Sequence, residues 1–111
     1  MYILEIYMKL PDFSLIEGFE WDNGNIDKNW IKHKVKPGEI EEIFFNEPIL
    51  IAHDENHSER EVRFAALGIT NSSRRLFAVF TVRNNKIRII SVRDMSKKER
   101  KVYENYQKEN P

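Results

Sequence analysis

The spacing of apolar residues changes several times along the chain. Tyr2, Leu4, Ile6, Met8 and Leu10 share one face at a spacing of two, which predicts a strand that Pro11 ends. A connection follows, and the stretch GFEW at 18–21 reads as a short strand or extended entry. The period then becomes helical. Ile26, Trp30 and His33 fall at i, i+4 and i+7, one stripe, with Asn29 and Lys32 beside it. Asp22 is the expected N-cap, because its carboxylate can accept from the free amides of the first turn. Pro37 opens a second helix, whose inward face is Ile40, Ile43 and Phe44, and Asn46 and Pro48 close it.

Four strand-like runs come next, at 49–53, 62–69, 76–82 and 87–93, separated by polar turns. The pair Asn84–Asn85 suits a tight hairpin, since Asn tolerates positive φ. Consecutive hairpins imply a largely antiparallel sheet. Ser96 and Glu99 have the S-x-x-E spacing of a capping box, so a last helix is predicted there, docked through Val102, Tyr103 and Tyr106. The order β-α-α-β-β-β-β-α predicts an α+β fold, a curved, largely antiparallel sheet with helices packed on it. At 111 residues one domain is expected over 1–111, with 1–18 as an extra N-terminal strand and connection of unassigned role.

Composition narrows the chemistry. There is no cysteine, which removes disulfides, thiolate metal sites and cysteine nucleophiles. No apolar run approaches the roughly 18 residues that span a bilayer. The N-terminus lacks the basic region of a signal peptide, so a cytoplasmic protein without a membrane segment is expected. The net charge is zero, yet residues 1–61 hold 6 Lys/Arg against 14 Asp/Glu, and residues 62–111 hold 12 against 4. That split implies either a basic face for phosphates or an acidic partner, or two halves that neutralise one another on folding.

The stretch KIRIISVRDM at 86–95 puts two guanidinium groups into an otherwise apolar strand. Its two faces are both mainly apolar, as in a central strand covered on both sides. Arg88 and Arg93 are five residues apart, so a regular strand sends them to opposite faces, and only a bulge or a strand end brings them together. Arg63 is a third strand arginine, sharing a face with the small Ala65. Each must meet a carboxylate, with Glu55, Glu59 and Glu61 nearby in sequence, or open onto a groove where it can clamp phosphate through paired donors.

Three stretches, FEWDNGNIDKNWIKHKV, HSEREVRFAALGIT and KIRIISVRDMSKKERKVYENY, taken together resemble the BrnT family of toxins of type II toxin–antitoxin systems. The resemblance runs in order from Phe19 to about Tyr106. It implies a small RelE-like ribonuclease that cleaves RNA to arrest translation. It also implies neutralisation by a BrnA-like ribbon-helix-helix antitoxin, with DNA contacted only through that antitoxin, and it leaves open a dimer or a complex of two toxins with two antitoxins. The matching residues are Lys32 and His33, Arg63, Arg88 and Arg93, Trp21, Asp22 and Asn29, His57, Ser58 and Glu59, and Arg100 and Tyr103. Two positions depart: Asn25 stands where the family commonly has Lys, and Lys34 where it commonly has Gly.

Metal-free RNA cleavage needs a base for the ribose 2′-hydroxyl, an acid for the leaving 5′-oxygen and positive charge around the phosphorus. The expected catalytic set is His33, Lys32, Arg63, Arg88 and Arg93, with His33 first for the proton and His57 second. The structural alternative for His33 is a helix-end histidine beside Trp30, and for His57 an exposed turn. Expected RNA contacts are Trp21, His57, Lys97 and Arg100; for Trp21 a core role is the favoured alternative, and for the α-helical lysines a solvated face. The stretch HDENHSE invites a metal, but i, i+4 ligation needs a helix, so no metal and no cofactor are expected. The competing function is a catalytically weak binding module that acts with its antitoxin in operon autorepression.

Overall fold

The computed structural model describes residues 13–54 and 61–109; the strand expected at 2–10 and the loop residues His57, Ser58 and Glu59 lie outside them. A 3-10 turn at Phe13–Leu15 leads to β1 (Gly18–Glu20). Then come α1 (Asn23–His33), α2 (Pro37–Phe45), β2 (Leu50–His53), β3 (Phe64–Ile69), β4 (Arg75–Arg83), β5 (Lys86–Asp94) and α3 (Lys97–Glu109). The result is a mixed α+β fold with three helices and a five-stranded sheet in the order β1-β5-β4-β3-β2. All its pairings are antiparallel except β1 with β5. The strand expected first, at 2–10, lies outside the described residues, and the first strand among them is GFE at 18–20.

Local chemistry sets the element ends. Pro37 sits at the start of α2, where its missing amide costs nothing, and the Glu39 carboxylate accepts from the Lys36 amide at 3.1 Å. The capping box of α3 forms: Glu99 donates its amide to Ser96 Oγ at 3.2 Å, and the Ser96 amide donates to the Glu99 carboxylate at 2.8 Å. Asn84 and Asn85 have φ of 51° and 61°, the left-handed pair that a tight β4–β5 hairpin demands.

The two sheet faces are unlike. On one, α1 and α2 cover a core that includes Ile40, Ile43, Ala66, Leu76, Phe80 and Ile89. Each such large side chain stabilises the fold by about 1.5–3 kcal/mol on burial. Gly68 on β3 permits the closest approach, since a Cβ there would stand 2.7 Å from Ile43 Cβ. On the other face, α3 covers only one end, packing Tyr103 against Leu50, Leu67 and Met95. The Tyr103 hydroxyl donates to the Pro48 carbonyl at 2.6 Å, and burial pushes its pKa up to about 12.

One helical stripe differs from expectation. Asn29, not Trp30, is the buried residue of α1, at 1% exposure, while Trp30 is 44% exposed. The helix is therefore rotated so that Ile26, Asn29 and His33 face inward. The Asn29 side-chain amide has no hydrogen-bond partner there.

Candidate active site

The parity of β5 breaks where the arginines need it to. Phe80 pairs with Ile89 but its neighbour Val79 pairs with Ser91, so Ile90 is an extra residue and a bulge. Arg88 opposite Thr81 and Arg93 opposite Phe77 thereby come to the same face, the one away from α1 and α2. By the same alternation Arg63 belongs to that face, beside Ala65.

Beyond the reach of α3 this face opens into a cleft of about 560 Å³, walled by Arg63, Arg93, Asp54, Ser91, Val79 and Ala65. The small Ala52 and Ala65 on neighbouring strands give it depth. A second hollow of about 460 Å³ near β1 is lined by Phe19, Phe44, Phe45, aliphatic residues and Glu17, without arginine or histidine.

Arg88 and Arg93 are both held by carboxylates, and neither of them by Glu61. Arg93 lies over the Phe77 ring at 4.2 Å and donates two bonds to Glu99, at 2.7 and 3.0 Å. That bidentate bond raises the Arg93 pKa. Burial opposes the charge on Glu99, but the bonds from Arg93 and Ser96 outweigh it and hold the carboxyl below its usual value. Arg88 reaches Glu20 at 3.0 Å and Asp22 at 3.4 Å, on and just after β1. Glu61 instead takes Arg83 at 2.7 Å. The acidic half thus neutralises part of the basic half, while Arg63 and Arg93 remain in the wall of the cleft.

The other expected site residues fall elsewhere. Lys32 and His33 end α1, on the opposite side of the sheet from the three arginines. Arg74 organises that corner. It donates to Asp94 at 2.7 and 3.0 Å and to the carbonyls of His33 and Lys34, each at 2.8 Å, and pairs with Glu39 at 3.5 Å. The Arg74 bond holds the Asp94 carboxyl below its usual value, helped by the nearby charges of His33 and Arg100. Trp21 packs against the covered core and donates its indole N–H to Glu41 at 2.8 Å. Lys97 and Arg100 are exposed on the first turns of α3. His53 borders the cleft, but its ring meets Phe64 edge-on at 6.0 Å on the covered side. Of HDENHSE only His53 and Asp54 are described, and no cluster of three metal-ligating side chains occurs among the described residues. No helix among them is long and apolar enough to cross a membrane.

Arg74 was the feature that sequence reasoning missed, whereas the bulge at Ile90 is one of the two routes it left open for bringing Arg88 and Arg93 to one face. A single arginine in a polar turn carries no signal of its five acceptors, and a bulge has no residue signature in an isoleucine pair.

Fold and cleft together define a small α+β protein with an arginine-bearing open sheet face. Comparison with known proteins makes the assignment narrower. Residues 21–99 match the family described as the ribonuclease toxin BrnT of type II toxin–antitoxin systems, and the chain belongs to that family. Its structure is similar to the crystal structure of the ribonuclease toxin BrnT from Brucella abortus, with a TM-score of 0.53 at 18% identity, over 72% of this chain and 97% of the other. No curated protein matches the sequence.

Proposed function

We propose that this chain is a RelE-like, metal-independent endoribonuclease that cuts RNA in the cytoplasm, and that a ribbon-helix-helix antitoxin of the BrnA type neutralises it. The observation that carries the site assignment is the bulge that turns Arg93 and Arg88 to the face of Arg63, beside an open cleft. A guanidinium stays charged at any relevant pH and binds phosphate oxygens through paired donors. Arg63 and Arg93 would stabilise charge on the phosphorus as the 2′-oxygen bonds to it and the 5′-oxygen leaves. Arg88, tied to Glu20 and Asp22, joins β5 to β1 and orders that part of the open face.

The proton carrier follows from the three histidines of the chain. His33 faces the Asp94 corner across the sheet, and His53 packs on Phe64. His57 belongs to the connection between Asp54 and Arg63, both of which line the cleft. We assign it the proton transfer.

A specific observation favours the second reading, a binding module with weak catalysis: Arg88 and Arg93 are both already ion-paired. Inducible expression of the wild type and Arg63→Ala in bacteria separates the two. Growth arrest with discrete primer-extension cuts, lost in the mutant and retained by purified protein in EDTA, supports the nuclease. Arrest without cuts, or a folded Arg63→Ala that is fully toxic, rejects the assignment.

A further inference from the structure

The six Lys/Arg of residues 1–61 are not spread evenly. Lys28, Lys32, Lys34 and Lys36 fall within the nine residues KNWIKHKVK, which contain no acid. At their centre is Trp30, the aromatic that α1 turns outward, with Lys34 Nζ 5.4 Å and Lys36 Nζ 5.7 Å from its ring. A tryptophan kept 44% exposed among lysines is not filling a core. We propose that this surface is a second contact for single-stranded RNA: Trp30 stacks a base, and Lys34 and Lys36 hold the adjoining phosphates.

Two features make the place suitable. The end of a helix ordinarily repels anions, because its last carbonyls are unsatisfied. Here Arg74 takes the carbonyls of His33 and Lys34, and the same guanidinium engages two nearby carboxylates, Asp94 and Glu39, while Asp27 stays exposed one turn before Trp30. The proposed path between this surface and the cleft runs around the end of β5. Arg93 walls the cleft, and the next residue, Asp94, has His33 of α1 and Arg100 of α3 within electrostatic reach. An RNA strand leaving the cleft past Arg93 meets Arg100, then His33, then the lysines around Trp30. A flat indole flanked by mobile cations fits a base and its phosphates. An acidic protein segment would use the lysines and leave the ring without a stacking partner.

This contact rests on the proposed nuclease reading for its substrate, so the test separates the two. The probe is a 12-nucleotide oligouridylate with every 2′-hydroxyl methylated, which binds but cannot be cut. In a Trp21→Phe background Trp30 is the sole tryptophan, because the chain has two. The expected result is quenching of its emission on titration. By anisotropy of a labelled probe, Trp30→Ala weakens binding about tenfold, and Trp30→Phe keeps most of it. Lys34→Gln with Lys36→Gln lowers the slope of log affinity against log salt by about 1. Binding without quenching and with an unchanged slope overturns the proposal, as does no binding at all. A response of Trp30 to a purified antitoxin alone also overturns it and makes the surface a protein contact. Cleavage of unmodified RNA is scored separately, so quenching without cuts rejects the nuclease and leaves the RNA contact standing.

Discussion

The two faces of the sheet use the same strands for opposite ends. On the covered face, residues such as Ala66, Leu76, Ala78 and Phe80 are fully buried and the backbones of α2 and β3 nearly touch at Gly68. On the open face, the alternate residues of those strands include Arg63, Val79 and Thr81, and α3 covers one end only. Strand alternation alone places packing on one side and charge on the other. The bulge at Ile90 is the one departure, and it moves an arginine from the packed side to the charged side. Stability and chemistry should therefore be separable by mutation.

The largest expected effect belongs to the open face. Arg63→Ala should lower RNA cleavage about 100-fold, measured on a defined RNA, with a shift of melting midpoint of at most a few degrees. The converse belongs to the covered face. Gly68→Ala should cost about 2 kcal/mol in a urea titration, because Ile43 must move, while cleavage per folded molecule stays unchanged. Equal losses of activity and stability in both variants would erase the distinction between the faces.

A smaller effect lies where the faces meet. Glu99→Gln removes the carboxylate that both caps α3 and holds Arg93, and should cost about 1 kcal/mol near neutral pH. Against the opposing effect of burial, the Glu99 carboxyl is held below the usual carboxylate value in the folded chain, chiefly by the bond from Arg93. Its contribution is therefore complete above that value and is lost as pH falls through the lower folded one. The stability gap between wild type and Glu99→Gln should hold at neutral pH and close as an acid titration passes below the ordinary carboxylate range. The smallest effect is at Lys34, whose φ of 55° is a conformation that favours glycine. Lys34→Gly should raise stability by about 0.5 kcal/mol, read from the melting midpoint.

What could be read in the residues follows from range. Pro37, Asn84–Asn85 and the Ser96–Glu99 box act within four residues of chain, and each does in the structure what its local chemistry requires. The resemblance to BrnT rested on several short stretches in order, and the family match over residues 21–99 agrees with it. The pairing of Arg88 with Glu20, across 68 residues, could not be read, because only the parallel β1–β5 contact brings them together. The nearer carboxylate, Glu61, is taken by Arg83. Trp30 was misplaced because an i, i+4 stripe does not distinguish which of two adjacent stripes a helix buries. A small polar Asn29 lets α1 lie close to β5 in a way an indole would not.

The central claim is that chemistry happens on the open face. His57→Ala and His33→Ala, both checked for folding, should be assayed side by side for cleavage of one RNA in EDTA. The account predicts a loss of about 100-fold or more for His57→Ala, with His33→Ala close to wild type. Full activity in His57→Ala together with loss in His33→Ala would move the reaction to the covered face and contradict it.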